Sequence, residues 1–259
     1  MSEKDIEELT LMVQRSRRAV IFTGAGVSTE CGIPDFRSKG GFWTRNTPIQ
    51  FSDFVASADV RIEAWTRFFQ IHDIIHAATP GITHRRIAQL HRRGHVSCVI
   101  TQNIDELHEQ AGLPHSRVIR LHGTAGHAKC LSCGAHHEIA SIRAHMTANK
   151  SPPDCASCGG VVKSATISFG QSMPEQQMAD ARAATMDADL FIAAGSSLQV
   201  FPAAGFPVLA SQCKVPLVIV NREETGLDGL ADLVIRADTA PVFEAIAESL
   251  SESSFNRPS

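Results

Sequence analysis

Cys130 and Cys133, then after 21 intervening residues Cys155 and Cys158, form two CxxC turns, and the pair begins eight residues beyond an isolated His122-Gly123. Two such turns at this separation can close four thiolates tetrahedrally on one zinc ion at ~2.3 Å. Each turn bends two sulfurs toward one point, so the chain between them must double back before any core forms. A redox dithiol and plain core cysteines are the other readings of the pattern. Four thiolates leave no position for water, so a zinc ion here is structural and the chemistry must come from elsewhere.

At 259 residues the chain is long enough to bury a substantial core as one large domain or a domain with an insertion. A net charge of −3 gives no electrostatic reason to expect nucleic-acid binding. The clusters His84-Arg85-Arg86 and His91-Arg92-Arg93 lie in a helical pattern and read as a solvated face rather than a phosphate stripe. The acidic N-terminus, with Glu3, Asp5, Glu7 and Glu8, does not resemble a signal or transit peptide. The apolar stretch Ala188–Ala210 is broken by Asp189, Pro202 and Pro207 and is no membrane span. Seven cysteines with a metal pattern and no secretion signal point to a reducing, cytoplasmic setting. Cys31, Cys98 and Cys213 are left over as small buried hydrophobes.

Short apolar runs recur at Ala19–Phe22, Val96–Thr101, Val118–Leu121, Leu190–Ala194, Leu217–Val220 and Leu233–Ile235. Helical patterns over 2–17, Thr83–Arg93, Ile104–Ala111, Pro174–Met186, Pro202–Ser211 and Ala240–Leu250 alternate with them. Uninterrupted apolar strands between helices predict an α/β fold, with a mostly parallel sheet covered on both faces. Residues 36–79, helical around Ile62–Ile75, and 125–164, with the cysteine turns, break the rhythm. They read as insertions that build a small lobe (36–79 and 125–164) on a large lobe (1–35, 80–124 and 165–250), with a ligand cleft between. Only the tail 251–259 reads as weakly ordered.

The ligand-type residues fall where these strands end. The first runs into Gly24-Ala25-Gly26-Val27-Ser28, like the opening of a dinucleotide loop, but Thr29 holds the third glycine position. A tight turn without ligand fits that segment equally. Gly32-Ile33-Pro34-Asp35-Phe36-Arg37 could lay Phe36 over a flat ring and bring Arg37 to a phosphate or ribose, or be a surface turn with an ion pair. Thr101-Gln102-Asn103-Ile104-Asp105 crowds polar groups at a strand's carboxyl end, suited to ribose hydroxyls and a carboxamide, or to capping a helix. His122 ends the next strand and could take a proton from a hydroxyl; a lone histidine is otherwise structural. Gly195-Ser196-Ser197 offers groups to phosphate, and Asn221-Arg222-Glu223 to a second ribose.

Together these segments resemble the sirtuins, the NAD-dependent protein lysine deacylases. The resemblance rests on GAGVSxxxGIPDFR at Gly24–Arg37, TQNID at Thr101–Asp105, His122-Gly123, the four cysteines, Phe169-Gly170, GSSLxVxP at Gly195–Pro202 and Val220-Asn221, in family order over about residues 18–238. It implies a Rossmann-type large lobe, a zinc-ribbon small lobe and NAD consumed as a co-substrate. It further implies that an acyl-lysine enters between Ile167–Gly170 (Ile167, Phe169 and Gly170) and Leu198–Val200 (Leu198 and Val200). Ile104 and Asp105 would hold the carboxamide, Asn103 and Gln102 orient ribose and water, His122 act as general base, and Phe36 shield the sugar. The expected products are free lysine, nicotinamide and O-acyl-ADP-ribose; NAD-dependent ADP-ribosyl transfer to protein is the alternative.

The chain departs from the family where Lys163–Gln171 reads KSATISFGQ in place of the usual RP-x-(I/V)-V-x-FGE, which makes the peptide channel more polar. Relatives that remove dicarboxylic acyl groups carry a Tyr and an Arg where Phe68 and Ile71 fall, and this chain has no tyrosine. An apolar acyl pocket, for acetyl or a longer fatty chain, is therefore expected. Acylated protein lysines are the expected partners of a monomer with no nucleic-acid or membrane role.

Overall fold

The computed structural model describes residues 2–35 and 47–255. From the N-terminus come α1 (Glu3–Arg15), β1 (Ala19–Thr23), α2 (Phe51–Ala56), α3 (Ala58–Ala77), α4 (Ile82–Arg92), β2 (Val96–Thr101), α5 (Leu107–Gln110) and β3 (Val118–Arg120). Next are β4 (Gly123–Cys130), β5 (His136–His137), α6 (Ile139–Asn149) and β6 (Val162–Thr166). The chain finishes with α7 (Glu175–Asp187), β7 (Leu190–Ala194), α8 (Gly205–Gln212), β8 (Leu217–Val220), β9 (Leu233–Ile235) and α9 (Thr239–Phe255).

Six strands form a parallel sheet in the order β3-β2-β1-β7-β8-β9. All five residues of β1 are buried, as a strand covered on both faces requires. Alternate side chains serve opposite faces: Ile21, Val99, Ile192 and Val218 pack with α1, α4 and α9. Phe22, Ile100, Phe191 and Ile219 pack with α7 and α8. Each fully buried side chain of this size contributes on the order of 1.5–3 kcal/mol. The order reverses between β1 and β7, which opens a crevice at the strands' carboxyl ends.

The second sheet, β5-β4-β6, is antiparallel and was not foreseen as strands. Trp65 of α3 and Ile139, Ile142 and Met146 of α6 pack on it with Ala128, Cys130, Cys155 and Val162. The sheet starts immediately after His122, where Gly123 pairs with Thr166.

Four expectations need correction. The helix expected over Ile104–Ala111 is only α5, because the Asp105 carboxylate takes the Leu107 N–H and the Ile104 carbonyl takes the Ala125 N–H. The last helix continues through 251 to Phe255 instead of stopping at Leu250. His84 does not sit on a solvated face: it is fully buried, while Arg85 beside it is exposed. Of the leftover thiols, Cys98 is buried, Cys31 is partly so, and Cys213 is exposed rather than buried.

Candidate active site

The carboxyl ends of β1, β2, β3, β7 and β8 open into one cavity of about 550 Å³, within the ordinary size of a ligand site. Gly24, Ala25, Gly26 and Asp35 line it, with Gln102, Asn103, Ile104 and His122, then Gly195, Ser196 and Ser197, and Asn221, Arg222 and Glu223. Ile167, Phe169, Gly170 and Val200 line it as well. Phe36 and Arg37 lie outside the described residues.

The glycine loop is shaped by its neighbour. A Cβ on Gly24 would lie 2.7 Å from the Gly195 carbonyl oxygen, and one on Gly26 2.7 Å from Gly195 Cα. The backbone hydrogen bond from Gly26 N to Gly195 O, 2.8 Å, holds the two loops together. Gly24 and Gly26 therefore let the β7 loop close against the β1 loop at the switch point, which is a demand of packing in its own right.

Behind the loops lies a chain of buried polar groups. The Ser28 hydroxyl donates to Asp105 Oδ2 at 2.6 Å, and Asn103 Nδ2 donates to Ser28 Oγ and to the Gly24 carbonyl, both at 3.1 Å. Both donors of Asn103 are thus spent inward, which leaves Oδ1 as the atom it can offer. Neither Ser28 nor Asp105 lines the cavity; Asp105 performs the helix-capping role and braces the loop from behind. The Leu198 side chain is likewise turned into the core, with a left-handed backbone at φ 54°. Gln102 Nε2 donates to Ser196 Oγ at 2.8 Å and ties the β2 end to the β7 loop.

His122 has the geometry of a base. Its Nδ1 lies 3.0 Å from the Gln102 carbonyl, which can only accept, so Nδ1 carries the proton and Nε2 keeps its lone pair. Burial pushes the ring below the ordinary histidine range, partly offset by that bond to Gln102. Two histidines are buried behind the loops, His84, expected on a solvated face, and His108, which the sequence does not single out. His84 Nε2 lies 3.5 Å from Ser28 Oγ, and His108 Nε2 lies 3.0 Å from Thr23 Oγ1. Burial holds both rings neutral, and they face each other with centroids 4.8 Å apart. Both insertions also line the cavity, the first through Phe54, Trp65, Phe68 and Ile71 and the second through Lys163. The helical pattern around Ile62–Ile75 hinted at Trp65, Phe68 and Ile71 but not at Phe54 on α2, and Lys163 stands out in the sequence only as the first residue of the Lys163–Gln171 segment.

The lining suits a dinucleotide: amide, hydroxyl and guanidinium groups for ribose and phosphate along the β7–β8 edge, and a base near the β2–β3 edge. The cysteines also suit zinc. Their four Sγ atoms lie within 4.8 Å of one another, with Cys130–Cys158 at 3.5 Å and Cys133–Cys155 at 3.7 Å. A tetrahedron with Zn–S of ~2.3 Å has edges of about 3.8 Å. Both turns are built alike: the N–H of Gly134 returns to the Cys130 carbonyl and that of Gly159 to the Cys155 carbonyl, with both glycines left-handed.

The Sir2 family model matches residues 24–202. The chain is 51% identical over 233 residues to NAD-dependent protein deacetylase 1 of Bradyrhizobium diazoefficiens, covering 90% of this chain and 91% of that protein. It is 49% identical to the NAD-dependent protein deacetylase of Rhodopseudomonas palustris, covering 90% and 92%. A solved structure of Sir2 with a p53 peptide and NAD+ superposes with a TM-score of 0.85 at 31% identity, over 95% of this chain and 99% of that one. Matching motifs, sheet order, paired cysteine turns and relatives agree, and the chain belongs to the Sir2 family.

Proposed function

We propose that the protein removes acetyl, or longer apolar acyl, groups from protein lysine side chains in an NAD-dependent reaction that yields free lysine, nicotinamide and O-acyl-ADP-ribose. The observation that carries this reading is His122, a neutral ring held at Nδ1 with Nε2 free, in the same cavity as Asn103 and the glycine loops. NAD, when bound, would supply a ribose carbon that bonds to the acyl carbonyl oxygen as nicotinamide leaves.

This chain's own residues do the rest. Gly24, Ala25, Gly26, Ser196 and Ser197 take the phosphates, and Asn221, Arg222 and Glu223 the far ribose. Asn103 Oδ1 and Gln102 orient the reacting ribose and water, while Ile104 meets the carboxamide and Asp105, through Ser28, keeps that loop in place. His122 Nε2 accepts the proton of a ribose hydroxyl. Ile167, Phe169 and Gly170 on one side, and Leu198 and Val200 backbone on the other, receive the peptide as an added strand. Cys130, Cys133, Cys155 and Cys158 hold one structural zinc ion. We read the chain as a large lobe (1–35, 80–124, 165–250) and a small lobe (36–79, 125–164), monomeric and cytoplasmic. No helix among the described residues is long and apolar enough to cross a membrane.

The test is mass spectrometry of an acetyl-lysine peptide incubated with the protein, with and without NAD, beside His122→Ala. NAD-dependent loss of acetyl with appearance of O-acetyl-ADP-ribose is expected. The variant should fall by about 10²–10⁴-fold, the range for loss of a general base. A protein that gains ADP-ribose while the peptide keeps its acetyl group would replace this reading with transferase activity.

A further inference from the structure

His122 and Ile104 line the cavity from two stretches of chain that meet along a short seam. Successive bonds close it. His122 Nδ1 donates to the Gln102 carbonyl at 3.0 Å, and the Ala125 N–H donates to the Ile104 carbonyl at 2.9 Å. The next bond is made by side chains alone: the Thr124 hydroxyl donates to Glu106 Oε1 at 2.6 Å. Thr124 Oγ1 also accepts the Gly126 N–H at 2.9 Å, while its one proton is committed to Glu106. Neither Glu106 nor Thr124 lines the cavity.

Glu106 sits directly before α5 in the left-handed region, at φ 59° and ψ 13°. A residue with a side chain stays there only where its surroundings hold it. The bond to Thr124 is such a hold. β4 is also at its loosest here: Gly123 pairs with Thr166 and next Ala128 with Ser164, so the ladder shifts register across 124–127. The bonds to the loop after β2 therefore set where the chain leaves His122. Arg120 lies 4.0 Å from the Glu106 carboxylate but also pairs with Glu109, and the Glu106 side chain is 40% exposed. Solvent screens that charge, so the directed hydrogen bond, not the ion pair, fixes the geometry.

We infer that Glu106 is a positioning residue for the nicotinamide end of the dinucleotide. Through Thr124 it fixes the spacing between Ile104 and His122. It thereby strengthens the hold on a dinucleotide that carries its nicotinamide, and leaves the phosphates and the far ribose untouched. The sequence marks no such role, because the motif at Thr101–Asp105 stops one residue short of Glu106 and the partner lies 18 residues further on. This inference rests on the reading above, in which Ile104 meets the carboxamide. It adds no chemical step to that reaction: Glu106 touches neither the reacting atoms nor the cavity, and acts on them through the loop that bears Ile104.

The experiment compares calorimetric binding of NAD with that of ADP-ribose, which lacks nicotinamide, and follows turnover of an acetyl-lysine peptide beside it. The proteins are wild type, Glu106→Gly, Glu106→Gln, Thr124→Val and the double variant Glu106→Gly with Thr124→Val. Glycine adopts a left-handed backbone freely, so Glu106→Gly removes the carboxylate without straining the loop. It should bind NAD at least about fivefold more weakly, the scale of one hydrogen bond to a charged group, while ADP-ribose changes less than about twofold. Its KM for NAD should rise by a larger factor than its kcat falls. Thr124→Val should repeat that pattern. Glu106→Gln can still accept from Thr124 and should stay within about twofold of wild type. The double variant should be within about twofold of the weaker single one, as for two halves of one interaction. Unchanged NAD affinity in Glu106→Gly overturns the inference. So does an equal loss for NAD and ADP-ribose, which a merely structural role would give, or a loss in Glu106→Gln as large as in Glu106→Gly, or single losses that multiply in the double variant. If wild type binds NAD but leaves the acetyl group in place, the deacylase reading fails and the binding series still decides on Glu106. If wild type binds no NAD, both fall.

Discussion

A single hydrogen bond decides which nitrogen of His122 can work. The Gln102 carbonyl fixes the proton on Nδ1, and burial keeps the ring neutral at pH 7. Protonation at Nε2 would destroy the base, so kcat/KM should rise with pH through an apparent pKa below the ordinary histidine value of about 6.5 and then level off. Below the apparent pKa it should fall by about tenfold per pH unit. His84 and His108 complicate the acid side, because both are held neutral by burial. Their folded pKa values lie below the unfolded one. The stability they give is therefore full above about pH 6.5 and is lost as pH falls through the folded values. Circular dichroism at each pH separates loss of fold from loss of base. A kcat/KM profile that falls with rising pH through 6 to 7, with the fold intact, would remove His122 from the role of base.

At the scale of elements, the site depends on how closely two loops approach. Gly26→Ala would put a methyl group 2.7 Å from Gly195 Cα and 2.8 Å from its carbonyl oxygen, both backbone atoms with little freedom to move. The loops after β1 and β7 must then part, at a cost of about 1–3 kcal/mol, and NAD affinity by calorimetry should drop by tenfold or more. Gly205→Ala is the control, because nothing lies within 4 Å of its new Cβ at the start of α8. It should keep NAD affinity and stability or gain slightly. Legibility from sequence followed the same physics. The strands β2, β7 and β8 were visible with their bounds because a strand buried on both faces is a largely apolar run, and the partly exposed edge strand β9 is a short apolar run as well. β4, which reads GTAGHAKC, has no such run; its pairing with β6 and the cysteine turns decide its conformation. The polar strand ends announced most of the cavity. They could not show that Asp105 and Ser28 are turned away from it, or that a lysine on β6 is buried in its wall, because both depend on partners distant in sequence.

The molecule as a whole joins two cores of unequal self-sufficiency at the cavity. The six-stranded sheet buries large side chains on both faces, whereas the three-stranded sheet has a small cluster around Trp65, Ile142 and Val162, and four cysteine sulfurs close to one another. A core that small generally needs a metal or another cross-link. Cys130 and Cys155 are buried members of that cluster, so removing zinc should loosen Trp65 and the packing of α3 and α6. The loss should reach the peptide side of the cavity through β6 and Lys163, while the β1–β7 loops stay closed. Treatment with a strong chelator should release about one zinc per chain, the number four thiolates bind. It should abolish peptide turnover and red-shift tryptophan fluorescence, while far-UV dichroism keeps most of its signal from the large sheet and its helices. NAD or ADP-ribose binding should survive in part, weakened less than peptide binding. Complete unfolding on chelation would mean that the large sheet depends on the ribbon, and unchanged turnover after full zinc release would mean that the ribbon folds on its thiols alone.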